Sequence, residues 1–245
     1  MAGLGFTTNP VSFDSDGTTC VGVLYRPADG DSEVPCVVMA HGFSGTMDWI
    51  VPDFAERFAE GGLAVLMFDY RYLGASGGQP RQLVSTRLQR ADLRRAVEFA
   101  RSRSGIDPGR IALWGTSLGG SHVIAHAVDD PLIAAVVANV PALDMFRGIR
   151  GRAKPLGEPL TRRQIIWATA RLLAAASADA IRGALGLSPH YIRVYGRLGE
   201  AVFSDPSQAD RFREVEESAP TWRNQCTPRR VIATAPWNGP GARCW

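Results

Sequence analysis

The sequence has almost no lysine, no basic tract and no long hydrophobic run. Lys154 is the only lysine among the 27 basic residues of this 245-residue chain, and the formal net charge is only +3. Because the arginines are scattered, the sequence gives no support for nucleic-acid binding or for binding to a membrane surface. No apolar stretch reaches the roughly 20 residues that a transmembrane helix requires, and no basic segment followed by an apolar core marks a secretory signal near residue 1.

The cysteines and the glycine-rich loops exclude further classes of protein. The cysteines have neither the spacing of a zinc site nor the density of a disulfide framework; they are Cys20, Cys36, Cys226 and Cys244. We therefore expect free thiols in a reducing compartment, which predicts a cytoplasmic protein. The sequence has no Gly-x-x-x-x-Gly-Lys loop and no Gly-x-Gly-x-x-Gly loop after a strand, so we expect no nucleotide cofactor and no metal. It carries no signature of a particular oligomeric state.

Apolar segments with strand and helix periodicity alternate between residues 35 and 140. The pattern predicts a β-hairpin at 9–14 and 19–25, strands at 35–40, 63–68 and 132–140, and helices at 49–60, 82–103 and up to about 128, with a turn at 107–109. This alternation indicates an α/β protein with a doubly wound, mainly parallel sheet. The carboxyl ends of such strands form the functional edge of the sheet. Residues 41–43, residues 69–70 and Ser117 all fall at strand ends, so we expect them to converge.

Ser117 lies at the centre of the most informative segment, residues 110–121. An apolar strand enters the Gly-x-Ser-x-Gly pattern there, and an amphipathic helix leaves it, as a nucleophile elbow requires. Gly115 and Gly119 have no Cβ, so the strand and the helix can pass close to the turn. The amide of Leu118 would then point toward negative charge that forms beside the serine hydroxyl. The alternative is an ordinary glycine-rich strand-to-helix turn capped by a serine.

The alternation stops after Pro141, and the rest of the chain divides differently. We predict a core at residues 1–140, a helical cap or lid region at 141–217 and an atypical, poorly ordered tail at 218–245. The helix expected at 160–187 could instead be one of an ordinary pair of peripheral helices. Its apolar residues suggest a small-molecule substrate with a hydrophobic acyl or alkyl group; they include Ile165, Ile166, Trp167 and Leu172.

Three motifs together resemble the α/β-hydrolase family. They are residues 41–45 (HGFSG), 68–78 (FDYRYLGASGG) and 115–120 (GTSLGG). In particular, they resemble the bacterial branch near the Xaa-Pro dipeptidyl-peptidase-like (S15) and dienelactone-hydrolase-like proteins. The resemblance covers roughly residues 10–140, and more loosely the cap.

The resemblance implies a serine hydrolase that cleaves an ester, thioester or amide bond through an acyl-enzyme at Ser117. It implies that the backbone N–H groups of Phe43 and Leu118 form the oxyanion hole. His41 is a tempting catalytic base, but in the family the histidine of this His-Gly pair is structural. His122 and His126 lie four residues apart on a helix, which permits metal ligation, but no nearby acidic residue completes a site, so helix packing is favoured.

The family pattern continues with an acid after a later strand and a histidine near the C-terminus. Here no histidine follows His190, and no aspartate or glutamate follows Glu217. The composition changes abruptly at about residue 224, and we interpret residues 224–245 as out-of-frame sequence. On this interpretation the chain is a truncated hydrolase that lacks the last strands, with one sheet edge exposed, poor solubility and impaired activity.

Two alternatives remain open. Asp144 follows the predicted strand that ends near residue 140, and His190 follows it in turn, so Ser117, Asp144 and His190 occur in the order of a catalytic triad. The second alternative is a non-catalytic protein that keeps the α/β-hydrolase fold as a binding scaffold, because fold alone does not define activity.

Overall fold

The computed structural model describes residues 5–28, 33–49, 51–143, 161–203 and 230–232. Contacts within the chain divide it into two units. The first unit comprises residues 1–81 and 86–143, and the second comprises residues 82–85 and 144–245.

The first unit contains a six-stranded sheet and three helices. In chain order these are β1 (Phe6–Ser15), β2 (Thr18–Pro27), β3 (Val34–Ala40), α1 (Val51–Glu60), β4 (Ala64–Phe68), α2 (Thr86–Arg101), β5 (Ile106–Thr116), α3 (Leu118–Asp129) and β6 (Ile133–Asn139). The strands are ordered β1-β2-β4-β3-β5-β6. The hairpin β1–β2 pairs antiparallel with β4, whereas β4, β3, β5 and β6 are parallel neighbours. The predicted α/β class, with a mainly parallel sheet and an N-terminal hairpin, is therefore confirmed.

The central strands are covered on both faces because their residues are apolar throughout. All five residues of β4 are buried, as are the last five of β3. Helix α1 covers one face, and its buried residues, spaced four apart, are Val51, Ala55 and Ala59. They pack against alternate residues of three strands: Val37, Met39, Val65, Met67 and Trp114. Successive strand residues point to opposite faces, so the residues between these point the other way.

Helices α2 and α3 pack on the sheet and on each other, and both contact β5. The side chains that α2 buries include Leu93, Ala96 and Val97, and α3 buries Val123. The Phe99 ring of α2 also packs against the Phe13 ring of β1, with the ring centroids 5.4 Å apart. The sheet is thus layered between helices, and its parallel strands end at one edge.

Two predicted boundaries need correction. Helix α2 begins at Thr86 and not at Gln82, because Gln82 has a φ of 65°, which is incompatible with a right-handed helix. Residues 107–109 do not separate two elements but lie within β5, at a point where its register with β3 shifts. The Asp107 carboxylate accepts a hydrogen bond from the Gly109 N–H at 2.9 Å, which gives this part of the strand a local turn-like bond.

Within residues 161–203 and 230–232, the second unit has one long helix and a small sheet. These are α4 (Arg162–Ala184), β7 (Tyr191–Tyr195), β8 (Ala201–Phe203) and β9 (Arg230–Ile232). Helix α4 begins with a capping box, in which Thr161 Oγ1 accepts from the Gln164 N–H at 3.3 Å and Gln164 Oε1 accepts from the Thr161 N–H at 2.8 Å. Strand β7 is central, with β8 parallel on one side and β9 antiparallel on the other. Among the described residues, no helix is long and apolar enough to cross a membrane.

The segment predicted as a helical cap, residues 141–217, is not entirely helical. Strands β7 and β8 lie within it, although only helical structure was expected there. Of the predicted tail, residues 218–245, the structure describes only β9. The interpretation of the tail as out-of-frame sequence falls largely outside the described residues and stays a prediction.

Candidate active site

The carboxyl ends of the four parallel strands carry unusual backbone angles. A non-glycine residue with positive φ follows each strand: Ser44 (52°) after β3, Tyr72 (69°) after β4, Ser117 (53°) after β5 and Val140 (42°) after β6. Residues held in this region cost free energy, and such residues cluster at functional sites. The strained positions therefore mark this edge of the sheet as the place to look for chemistry.

Ser117 lies between the last residue of β5 and the first residue of α3, as predicted. Its φ is 53° and its ψ is −117°. Its N–H donates to the Asn139 carbonyl at 3.0 Å, and its carbonyl accepts from the Ala142 N–H at 2.9 Å. The side chain is half-buried, and within the described residues its hydroxyl makes no hydrogen bond. The backbone of the serine is thus fixed on both sides, whereas its hydroxyl is available.

Gly119 allows the elbow to be this tight. A Cβ at this position would overlap the carbonyl oxygens of Ala40 and His41, at the end of β3. A Cβ at Gly115 would overlap the backbone of Gly119 in the same way. The first turn of α3 therefore lies directly against the ends of two strands, which only glycine permits.

The loop after β3 approaches Ser117 through Gly42. A Cβ at Gly42 would lie 3.3 Å from the Ser117 Cβ and 3.9 Å from its Oγ. Phe43, the next residue, is buried. Leu118 is buried at the N-terminus of α3, where the first N–H groups of a helix have no partner within the helix. The elements that would carry the two predicted oxyanion donors, Phe43 and Leu118, therefore both adjoin the serine.

His41 is buried and contacts residues of the loops after β3 and β4. It is 2% exposed, and its Nδ1–H donates to the Gly42 carbonyl at 3.1 Å. Its ring packs edge-on against the Tyr70 ring at 4.6 Å, and its Nε2 lies 3.9 Å from Asp69 Oδ1. Within the described residues it makes no hydrogen bond to Ser117. These contacts are those of a residue that shapes the loop.

Asp69 connects the loop after β3 with the loop after β4. Its Oδ1 accepts from the Met47 N–H at 2.7 Å, and its Oδ2 accepts from the Ala75 N–H at 2.8 Å. Burial raises the pKa of this carboxyl to about 7, against the two backbone N–H donors, which lower it. The sequence analysis placed Asp69 at this edge but gave it no role, because its partner Met47 lies 22 residues away along the chain.

A second buried carboxylate, Asp92 of α2, holds the next part of the loop after β4. Its oxygens accept from the Arg71 Nε–H at 2.7 Å and from the Arg71 backbone N–H at 3.0 Å. Ser15, at the end of β1, donates its hydroxyl to Asp92 Oδ1 at 2.7 Å and accepts from Arg71 Nη2 at 2.6 Å. This buried network ties the loop to the hairpin and to α2.

The side chains of His122 and His126, on α3, interact with other residues of the fold. His122 Nε2 lies 3.0 Å from Gln89 Oε1, and burial lowers the pKa of His122 to about 4, so its ring is neutral at neutral pH. His126 Nε2 lies 3.5 Å from Asp130 Oδ2. Among the described residues, no group of three His, Cys, Asp or Glu side chains could hold a metal ion. Both rings pack within the fold, as the sequence analysis favoured.

The alternative triad of Ser117, Asp144 and His190 stays a prediction. Asp144 lies outside the described residues. His190 is exposed in the second unit, where its backbone N–H donates to Asp179 Oδ1 at 2.7 Å.

The sheet order and the strained serine between a central parallel strand and a helix define the chain as an α/β hydrolase. The chain belongs to the Hydrolase_4 family (serine aminopeptidase, S33), whose family model matches residues 32–213. The closer placement near the S15-like and dienelactone-hydrolase-like proteins stays a prediction.

Known proteins resemble the chain over most of its length. The quorum-quenching protein AidA of Acinetobacter baumannii (strain MDR-ZJ06) is 42% identical over 223 residues, which is 91% of this chain and 69% of that protein. The thiohydrolase aneE of Aspergillus aculeatus is 39% identical over 129 residues, or 53% of this chain and 40% of aneE. The crystal structure of the α/β hydrolase GrgF from Penicillium sp. sh18 is similar with a TM-score of 0.73 and 26% identity, over 95% of this chain and 72% of GrgF. Several curated relatives are matched over less than half of their length.

Proposed function

We propose that the protein is a serine hydrolase that cleaves an ester, thioester or amide bond through an acyl-enzyme at Ser117. The observation that carries this proposal is the geometry of Ser117: a strained elbow presents an unbonded hydroxyl beside the loop after β3 and the N-terminus of α3. The backbone N–H groups of Phe43 and Leu118 would stabilise the oxyanion of the tetrahedral intermediate.

We propose a substrate with a hydrophobic acyl or alkyl group, and a thioester fits best among the three bond types. Two relatives carry the name thiohydrolase, and one of them is matched over 91% of this chain. Helix α4 of the second unit exposes large apolar side chains: Ile166, Trp167 and Leu173.

We further propose that turnover by this chain is low. A serine hydroxyl is a weak nucleophile until a base removes its proton, and within the described residues no imidazole is hydrogen-bonded to Ser117. Without a base, catalysis is limited to what the oxyanion hole and substrate binding supply, about 10³-fold over water.

Labelling with a fluorophosphonate probe tests the proposal. We expect the probe to form a covalent adduct on Ser117 of the full chain, located by mass spectrometry of tryptic peptides. Ser117→Ala should abolish labelling, whereas Ser102→Ala should not, because Ser102 is an exposed serine at the end of α2 whose hydroxyl bonds to the Phe99 carbonyl. Turnover should then be measured on a series of acyl thioesters of increasing chain length.

The outcomes separate the two candidate functions. Labelling at Ser117 with slow thioester turnover supports the hydrolase. Absence of labelling in a folded protein contradicts it and favours the non-catalytic scaffold. A loss of both labelling and turnover in folded His190→Ala would identify His190 as the base of the alternative triad.

A further inference from the structure

The Asp69 carboxylate is the link between two loops of the candidate site. Each of its oxygens accepts one backbone N–H, from Met47 on the loop after β3 and from Ala75 on the loop after β4. The side chain is almost completely buried. A carboxylate that accepts backbone N–H groups forms stronger hydrogen bonds than a neutral acceptor. The conformation of one loop is therefore coupled to that of the other through a single side chain.

The loop after β4 is a rigid support for this carboxylate. Ser76 Oγ donates to the Asp69 carbonyl at 2.6 Å and accepts from the Val21 N–H of β2 at 2.8 Å. Gly74 packs so closely that a Cβ there would overlap the Asp69 carboxylate, and Arg81 donates to the Gly74 carbonyl at 2.6 Å. The carboxylate is thus fixed from one side before it contacts the loop after β3.

Two backbone turns shape the loop after β3. The Gly45 N–H donates to the Gly42 carbonyl at 3.1 Å, and the Trp49 N–H donates to the Thr46 carbonyl at 3.2 Å. The first turn precedes Met47 and the second contains it, and the Met47 N–H itself donates to Asp69. The Asp69 bond therefore sets where this loop lies relative to the sheet, and with it the position of Gly42 against Ser117.

We propose that Asp69 is a positioning residue that holds residues 42–47 against Ser117 and so fixes the oxyanion hole. The inference rests on the proposed function for its catalytic meaning, but the positioning itself is a property of the two loops. Asp69 would act through the backbone of the loop after β3 and would not touch the substrate.

The charges around Asp69 make the proposed tie sensitive to pH. The groups that face it are His41 at the end of β3, Asp48 on the following loop and Arg81 on the loop after β4. Because burial raises the pKa of Asp69 to about 7, the carboxylate gains its charge as the pH rises through neutrality. We expect the bonds to Met47 and Ala75 to be strongest above that pH.

The test compares Asp69→Asn with Ile106→Ala in the full chain. An asparagine has one acceptor oxygen and keeps only one of the two N–H bonds. Ile106 is equally buried but lies at the amino end of β5, the opposite end from Ser117, so its variant controls for general destabilisation. We measure amide hydrogen exchange of Met47, Ala75 and residues 42–46, and the rate of fluorophosphonate labelling at pH 6, 7 and 8.

We expect exchange at these amides to be at least tenfold faster in Asp69→Asn and labelling to be at least tenfold slower at pH 8. The labelling ratio of wild type to Asp69→Asn should increase from pH 6 to pH 8, whereas a purely structural defect would leave it constant. Ile106→Ala should label within threefold of the wild type at each pH, below its melting temperature.

Two results would overturn the inference: unchanged exchange at residues 42–47 in Asp69→Asn, or equal labelling rates despite faster exchange. If the wild type is not labelled at all, the proposed function fails, and exchange alone decides the positioning role. If Asp69→Asn does not fold, wild-type exchange decides: Met47 should be protected at least 100-fold, and exchange at the unprotected rate would refute the bond.

Discussion

The backbone of Ser117 has the dihedral angles of the first central residue of a type II′ turn, a position that glycine normally occupies. A serine there costs about 1–3 kcal/mol of stability. The bonds to Asn139 and Ala142 and the packing of Gly119 hold it in place. The site therefore keeps a nucleophile where the fold alone would favour glycine.

This strain predicts different free energies of unfolding for two variants that both remove the hydroxyl. Ser117→Gly should be more stable than Ser117→Ala by about 1–2 kcal/mol, because glycine adopts positive φ without strain and alanine does not. Urea unfolding of the two variants measures the difference. Equal stability would show that the observed backbone angles carry no strain.

At the scale of elements, the strand β5, the serine and the helix α3 form one unit that depends on close backbone packing. Gly119 is in the first turn of α3 against β3, whereas a Cβ at Gly183, near the end of α4, would meet no atom within 4 Å. A methyl group added at Gly119 would therefore overlap other atoms, whereas one added at Gly183 would not.

Gly119→Ala should destabilise the first unit by about 3 kcal/mol or more, or prevent its folding, because the new methyl group overlaps backbone atoms that cannot move separately. Gly183→Ala should stabilise α4 by about 0.5–1 kcal/mol, because alanine loses less conformational entropy in a helix. Thermal unfolding followed by circular dichroism measures both. A tolerated Gly119→Ala would contradict the tight elbow.

The parallel core and the elbow could be predicted from the sequence because their signals are local. Strands β3 and β4 are continuous apolar runs, and the spacing of Gly115, Ser117 and Gly119 indicates a tight turn by itself. Because parallel strands end at one edge of a sheet, the sequence also predicted that His41, Asp69 and Ser117 converge.

Other features depend on contacts that the sequence does not show. Strand β7 alternates correctly, with Ile192 and Val194 buried and Arg193 exposed, but it has only five residues between Pro189 and Gly196 and resembles a loop. Asp69 and Asp92 accept hydrogen bonds from residues that are distant along the chain. No local sequence pattern predicts these bonds, and only the folded structure identifies them. The identity of a general base is not encoded in any local motif.

At the scale of the whole molecule, β6 is the exposed end of the sheet. Within the described residues it pairs only with β5, and the apolar side chains on and beside it are largely exposed: Leu132, Val136, Val137, Val140 and Leu143. An edge strand with free backbone groups and apolar side chains is a template for association with other chains.

We therefore expect wild-type protein to associate as its concentration rises. Val137→Lys should reduce this association without lowering the melting temperature, because Val137 is 51% exposed and lysine protects strand edges. Sedimentation velocity at several concentrations measures it. Val128→Lys, the same change at an exposed site on α3, should have no such effect, and a monomeric wild type at all concentrations would contradict the prediction.

Cys20 on β2 and Cys36 on β3 are separated by β4, and both side chains are fully enclosed. Burial raises the pKa of each thiol to about 12. A maleimide or a disulfide reagent can therefore modify them only when the sheet opens. The alkylation half-life of these two thiols under native conditions therefore measures how often the hydrolase core opens. The measurement needs no denaturant and no engineered label.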